Sequence, residues 1–150
     1  MNILVIGGTG EIAQKILINL NKLNILKIKI FATYNNTKAF VENVNYLKLD
    51  LNNESIFKKK ISKLKKYKFD YVLFAAALTH NSNLINNKSC VFGNLKLKYF
   101  NLLLKVNCFS NIKIFEILHK QKMLTRGCKI IFFSSKSGST ELRGKLKHNK

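Results

Sequence analysis

A chain of 150 residues, 47% of them hydrophobic, is long enough to form one domain with a hydrophobic core over residues 1–150. It has no apolar run of about 18 residues and its short apolar start lacks a basic flank, so we expect neither a membrane-spanning helix nor a signal peptide. We therefore also expect no membrane partner. The cysteines Cys90, Cys108 and Cys128 lack metal-ligand spacing, which predicts no metal site and reduced thiols in a cytoplasmic protein.

The net charge of +20 invites a nucleic-acid interpretation that the composition weakens. Only Arg126 and Arg143 are arginines among 27 basic residues, asparagine occurs 19 times, and proline and tryptophan are absent. Lysine, asparagine, isoleucine, phenylalanine and tyrosine share AT-rich codons, so a bias in base composition explains the charge. We therefore predict no nucleic-acid partner, and we interpret the lysine-rich residues 58–68 as the solvated face of an amphipathic helix.

The first thirteen residues, MNILVIGGTGEIA, contain the most informative motif of the chain. The apolar residues 3–6, closed by glycines, are typical of a buried parallel strand that ends in a tight turn. Residues 11–20 follow with helical spacing of apolar side chains. A strand, a glycine turn and a helix in this order are the context that a dinucleotide-binding fingerprint requires, in which the helix N-terminus holds a pyrophosphate.

Two glycine registers fit this fingerprint, Gly8-x-Gly10-x-x-Ala13 and Gly7-x-x-Gly10-x-x-Ala13. A strand–turn–helix unit that binds nothing is the alternative, and the position of the glycines directly after a strand favours the fingerprint. The candidate cofactor-binding residues of the turn are Gly7, Gly8, Thr9, Gly10, Glu11 and Ile12.

Residues 27–33 alternate and predict a second strand. An acidic residue near the end of this strand would hold the adenosine ribose hydroxyls of NAD, but no acid occurs before Glu42. Thr33 and Asn35 are instead candidates for contact with a 2′-phosphate, together with Asn36 and Lys38. We therefore expect NADP or NAD as the cofactor, with NADP slightly favoured, although this segment contains no arginine.

The rest of the chain continues the alternation of strands and helices. We predict strands over residues 46–49, 69–77 and 129–133, a lysine-rich helix over 53–67 and one long helix over 95–120. Polar residues 79–88, which include His80, predict a loop. The alanines that close the fourth strand would let a ligand lie against its end, or would let a helix pack closely there.

Five strands alternating with helices predict a Rossmann-like, doubly wound α/β fold with an open parallel sheet. Ligands bind such sheets at the carboxyl ends of the strands. The residues predicted to gather there are the glycine turn, Asp50 and Leu51 after the third strand, Ala75, Ala76 and Ala77 after the fourth, and Ser134 and Ser135 after the fifth.

These motifs, in this order, resemble the N-terminal part of the short-chain dehydrogenase/reductase family. GGTGEIA resembles the family's glycine-rich turn, and Asp50 in LDLNN matches the position that contacts the adenine ring. FAAA, residues 74–77, stands in the place of the family's Asn-Asn-Ala-Gly segment. Asn107 resembles the asparagine of the catalytic tetrad, and KIIFFSSKSGS is similar to the strand that carries the catalytic serine, here Ser135.

The resemblance implies an NAD(P)-dependent oxidoreductase that transfers hydride between nicotinamide and a small carbonyl or alcohol substrate. The family also uses a Tyr-x-x-x-Lys pair after the serine, and no tyrosine follows Ser135; the pair Tyr34 and Lys38 lies far before it. We therefore expect an N-terminal part that ends before the catalytic Tyr-x-x-x-Lys helix and is inactive alone. The full-length protein could form a homo-oligomer, a question that the sequence leaves open.

Two other functions fit the same residues. The register Gly7-x-x-Gly10-x-x-Ala13 also occurs in the extended branch of the family, the nucleotide-sugar epimerases and dehydratases. A non-catalytic nucleotide-binding module is the second alternative. A Tyr-x-x-x-Lys pair encoded after Lys150 would favour the enzymes, and its absence would favour the module.

Overall fold

The computed structural model describes residues 1–23, 27–37, 40–78 and 97–133. They form a five-stranded sheet in the order β3-β2-β1-β4-β5, in which every neighbouring pair is parallel. The strands are β1 (Asn2–Ile6), β2 (Lys29–Tyr34), β3 (Val44–Lys48), β4 (Phe69–Phe74) and β5 (Leu124–Phe132). The predicted Rossmann-like α/β sheet is confirmed.

The helices lie in the connections between the strands. Helix α1 (Glu11–Lys22) follows β1, and α2 (Phe57–Ile61), flanked by the 3₁₀ turns Glu54–Ile56 and Ser62–Leu64, follows β3. Before β5, α3 (Leu97–Leu104) passes through a π-helical segment (Lys105–Phe109) into α4 (Ser110–Lys120). The predicted long helix is therefore present but contains a π-helical turn, whereas the predicted lysine-rich helix is broken into three short pieces.

The central strand β1 is buried on both faces, which explains its uninterrupted apolar run. On one face, Val5 and Ala32 pack against Ala13 and Leu17 of α1. On the other face lies a larger core that includes Leu4, Ile6, Phe31, Phe57, Ile61, Phe69, Ile114 and Leu118. In the broken lysine-rich segment, Phe57 and Ile61 are fully buried while Lys58 and Lys59 are exposed, so the predicted amphipathic face is correct.

The predicted ranges of β2 and β3 differ from the observed ones by one or two residues at each end, and two boundaries, in β4 and β5, are wrong by more. β5 begins at Leu124, not at residue 129, because Leu124 already pairs with Phe69 of β4, and Gly127, with a φ of +85°, lies inside the strand. The pairing there jumps from Phe69–Leu124 to Tyr71–Lys129, the irregularity that an interior glycine often marks. β4 ends at Phe74, so the three alanines predicted inside the strand lie beyond it.

No helix in the described ranges is both long enough and apolar enough to cross a lipid bilayer.

Candidate functional site

A cavity of about 740 Å³ opens where β1, β2, β3 and β4 end. This is the edge at which open α/β sheets bind ligands. Twelve of the residues predicted from the sequence line it: Gly7, Thr9, Gly10, Glu11, Ile12, Thr33, Asn35, Asp50, Leu51, Ala75, Ala76 and Ala77. The fold thus brings together most of the predicted site at one place.

The three glycines of the turn have different surroundings. Gly7 has a φ of +86°, and a Cβ there would lie 2.5 Å from Cβ of Ala76. A Cβ on Gly8 would lie 2.5 Å from Cβ of Ala32, and Gly8 does not line the cavity. Gly10 has an ordinary extended backbone with a φ of −73°, and the nearest atom to a Cβ there is the Gly7 carbonyl oxygen at 3.4 Å.

Gly8 was predicted to bind the cofactor, but it lies against the neighbouring strand instead of facing the cavity. Gly7 and Gly10 line the cavity, and Ala13, which is fully buried, packs α1 against the sheet. This arrangement corresponds to the register Gly7-x-x-Gly10-x-x-Ala13. Gly8 contributes the close approach between the turn and β2.

The start of α1 faces the cavity with unoccupied backbone donors. Gly10 is the N-cap residue and has no side chain to cap the helix, and the first α-helical bond runs from Gln14 N–H to Gly10 O at 2.9 Å. Among the described residues, the N–H groups of Glu11 and Ile12 have no hydrogen-bond partner. Such donors, together with the helix dipole, suit a phosphate group.

The residues after β2 form one end of the cavity. Thr33 is 2% exposed; its hydroxyl accepts a hydrogen bond from Gly7 N–H at 2.9 Å, and its carbonyl accepts one from Gly8 N–H at 2.7 Å. Asn35 and the neighbouring Asn36 are exposed and also line the cavity. Among the lining residues the only carboxylates are those of Glu11 and Asp50, so no acid stands directly after β2.

Asp50 is held in a turn after β3. Its Oδ1 accepts a hydrogen bond from Asn52 N–H at 2.8 Å, and its carbonyl oxygen accepts one from Asn53 N–H at 3.1 Å. Within the described part of the chain, Oδ2 has no partner. This oxygen can accept a hydrogen bond from a ligand at the same end of the cavity as Asn35.

The opposite end of the cavity is apolar. Ala75, the first residue after β4, donates a hydrogen bond from its N–H to Ile6 O of β1 at 2.9 Å. Ala76, Ala77 and Leu78 line this end together with Leu102 of α3 and Val106 of the π-helical segment. Small side chains at the strand end leave room there for a flat, apolar group.

Asn107 holds this apolar end but does not line it. Its Oδ1 accepts a hydrogen bond from Leu78 N–H at 2.7 Å, and its Nδ2 donates to Leu78 O at 2.8 Å. Its own carbonyl oxygen accepts a bond from Asn111 Nδ2 at 3.1 Å. Both polar atoms of the Asn107 side chain are thus used in fixing the chain after β4.

Some predicted residues are not described by the structure, and some residues that line the cavity were not predicted. Lys38, His80 with the rest of the predicted loop over residues 79–88, and Ser134 and Ser135 lie outside the described residues. The lining residues that the sequence analysis did not identify are Tyr34, Leu49, Asn52, Leu78, Leu102 and Val106. A signal for Leu102 and Val106 was present, because they lie four residues apart and therefore share one face of a helix.

Several solved structures have the same arrangement of strands and helices as this chain. A short-chain dehydrogenase family protein from Francisella tularensis superposes with a TM-score of 0.72 at 21% identity, over 89% of this chain and 50% of that one. A short-chain dehydrogenase/reductase from Burkholderia multivorans with bound NADP superposes with a TM-score of 0.75 at 17% identity, over 93% of this chain and 61% of that one. The chain has the Rossmann fold of the short-chain dehydrogenases/reductases. A carbonyl reductase from Pseudomonas aeruginosa superposes with a TM-score of 0.76 at 16% identity, over 97% of this chain and 66% of that one.

The resemblance seen in the sequence is thus confirmed at the level of this fold. The chain spans about half to two thirds of the length of these short-chain dehydrogenase structures. Neither a protein-family model nor a curated protein matches it.

Proposed function

We propose that this chain is the cofactor-binding part of an NAD(P)-dependent oxidoreductase of the short-chain dehydrogenase/reductase type. Such an enzyme reduces a carbonyl to an alcohol, or reverses this reaction, on a small-molecule substrate. The observation that carries the proposal is the cavity, where Gly7 and Gly10, the donors of α1, Asp50 and the alanines after β4 meet at one sheet edge. The fold of the solved dehydrogenases and reductases supports it.

The residues present suit the parts of a nicotinamide dinucleotide. We assign the pyrophosphate to the turn at Thr9 and Gly10 and to the N–H groups of Glu11 and Ile12, which bond no other described residue and lie at a helix N-terminus. We assign the adenine to Asp50 and Leu51, since Asp50 Oδ2 is free to accept a bond. The nicotinamide half then lies at the apolar end formed by Ala75, Ala76 and Ala77.

NADP is the cofactor we favour over NAD. The acid that would hold the ribose hydroxyls of NAD, and would repel a 2′-phosphate, is absent from the cavity wall after β2. Asn35 and Asn36 offer uncharged donors at that position. The NADP in the Burkholderia multivorans structure supports a nicotinamide cofactor on this fold.

The bound cofactor supplies or takes up the hydride, and the protein must hold the substrate oxygen and move a proton to or from it. We assign the substrate oxygen to Ser135, following the sequence resemblance. Asn107 contributes by positioning, because its side chain holds Leu78 at the apolar end of the cavity. All five tyrosines precede Ser135, so residues 1–150 lack the Tyr-x-x-x-Lys proton donor.

An epimerase or dehydratase of the extended branch shares the Gly7 register, but the solved structures reported above are dehydrogenases and reductases and do not favour it. A non-catalytic nucleotide-binding module would use the same cavity without turnover. The cytoplasmic location, the absence of a nucleic-acid partner and a homo-oligomer of the full-length protein stay predictions.

The test is a titration of the protein with NADPH and NADH, followed by the emission of the reduced nicotinamide. Gly10→Val places a branched side chain in the cavity where a pyrophosphate must approach the backbone, and the extended backbone of Gly10 accepts it. We expect at least a tenfold weaker affinity, about 1.4 kcal/mol. Asn19→Val, on the exposed face of the same helix, is the control and should bind as the wild type does. Failure of the wild type to bind either cofactor would refute the proposal.

A further inference from the structure

Thr33 ties the glycine turn to the neighbouring strand at two points. Its side-chain Oγ1 accepts the hydrogen bond of Gly7 N–H at 2.9 Å, and its backbone carbonyl accepts that of Gly8 N–H at 2.7 Å. Two consecutive donors of the turn thus end on one residue. Thr33 is 2% exposed, so water does not compete for these bonds.

The side-chain bond is needed because β1 leaves the sheet at Gly7. The paired register of β1 and β2 ends at Val5 and Ala32, and Gly7 then adopts a φ of +86°. On its other side Gly7 lies so close to Ala76 that a Cβ on Gly7 would be 2.5 Å from the Ala76 Cβ. The Thr33 hydroxyl therefore fixes the turn from the β2 side, while Ala76 limits it from the β4 side.

The position of Gly7 is passed on to the start of α1. The carbonyl oxygen of Gly7 accepts the hydrogen bond of Gly10 N–H at 3.1 Å, and Gly10 is the N-cap residue of the helix. The free N–H groups of Glu11 and Ile12 follow directly. A shift of Gly7 would therefore move the donors that face the cavity.

We propose that Thr33 is a positioning residue for the cofactor, whose hydroxyl holds the turn of residues 7–10 so that the first donors of α1 face the diphosphate. The inference rests on the proposed function. The sequence suggested a direct contact between Thr33 and a 2′-phosphate; in the structure the hydroxyl oxygen of Thr33 accepts a hydrogen bond from Gly7 N–H. Valine, which is nearly the same shape, cannot accept this bond and leaves a donor of the turn without its partner.

The experiment compares Thr33→Val with Thr33→Ser in NADPH titrations well below the melting temperature of each variant. We expect Thr33→Val to weaken NADPH binding about tenfold or more, and Thr33→Ser, which keeps the hydroxyl, to stay within about threefold of the wild type. Thr125→Val is the matched control, because Thr125 bonds Phe69 O at the opposite end of the sheet; its affinity should not change. Thr33→Ala replaces the valine variant if the latter does not fold.

A second measurement reports on the turn without any cofactor. Hydrogen exchange at the Gly7 and Gly10 amides should be faster in Thr33→Val and close to the wild type in Thr33→Ser. Wild-type binding with an unchanged affinity in Thr33→Val, or a serine variant as weak as the valine variant, would overturn the inference and leave the proposed function standing. A wild type that binds neither NADPH nor NADH would overturn both.

Discussion

The Asn107 side chain makes two hydrogen bonds to the backbone of Leu78: its Oδ1 accepts one from Leu78 N–H at 2.7 Å, and its Nδ2 donates one to the Leu78 carbonyl oxygen at 2.8 Å. The pair joins the π-helical segment before α4 to the chain after β4, and Leu78 lines the apolar end of the cavity. Both polar atoms of the side chain that the sequence suggested for catalysis thus help to hold the cavity wall.

Replacing Asn107 by alanine should therefore loosen this wall as well as lower stability. Both hydrogen bonds are lost, and because the site is exposed we expect the free energy of unfolding to fall by about 1 kcal/mol. Asn107→Asp keeps an acceptor for Leu78 N–H but places a carboxylate against its carbonyl, so it should not restore the wild-type stability. Urea denaturation measures both variants, and an alanine variant as stable as the wild type would contradict the assigned contact.

Adding a methyl group to Gly8 should lower the stability of the fold, whereas a small side chain at Gly10 should not. Gly8→Ala brings two Cβ atoms to 2.5 Å, and we expect a loss of about 1–3 kcal/mol in the free energy of unfolding. Gly10→Ser is the control, since its backbone is extended and serine is a favourable N-cap residue.

Removal of the opposing methyl group should partly rescue the Gly8 variant. In Gly8→Ala/Ala32→Gly the remaining neighbours of the new Cβ are Leu17 Cδ1 at 3.5 Å and the Ala32 Cα at 3.6 Å, which are ordinary contacts. Thermal or urea unfolding of all four proteins gives the coupling energy, expected at about 1 kcal/mol or more. Additive effects would show that Gly8 is constrained by something other than Ala32.

A negative charge at Asn35 should shift cofactor preference from NADPH towards NADH. Asn35→Asp changes little but the charge at the cavity wall after β2, and repulsion of a 2′-phosphate there should weaken NADPH about five- to tenfold relative to NADH. Asn101→Asp, at an exposed position of α3, changes the net charge equally and should leave the ratio unchanged. Dissociation constants at two salt concentrations test this, because high salt should reduce the effect. An unchanged ratio in Asn35→Asp would mean that the 2′-phosphate lies elsewhere.

The polypeptide of residues 1–150 should bind cofactor without turning over carbonyl substrates. No tyrosine follows Ser135 in it, and general acid catalysis contributes about 10²–10⁴-fold in rate. NADPH consumption with a panel of aldehydes and ketones measures this, with the Pseudomonas aeruginosa carbonyl reductase as a positive control for the assay. Turnover comparable to that enzyme would place a proton donor within these residues and refute the assigned roles.

Local patterns in the sequence were sufficient for the order of strands and helices and for the position of the cavity. Apolar runs such as residues 3–6 report burial on both faces of a parallel sheet, and glycines directly after such a run report a turn whose backbone must come close to other atoms. Because the carboxyl ends of parallel strands meet at one edge, Gly7, Asp50 and Ala75 could be assigned to one site from their order alone.

Only the tertiary structure decided what each of these residues does there. Gly8 lies against Ala32, the Thr33 hydroxyl accepts a hydrogen bond from Gly7 N–H, and the Asn107 side chain accepts one from Leu78 N–H. The two residues of each pair are more than twenty residues apart in the chain. Gly127 likewise lies within β5 because Phe69 pairs with Leu124 on the neighbouring strand. A hydrogen-bond partner is chosen by distance and direction in space, and neither is encoded in the local periodicity from which strands and helices are predicted.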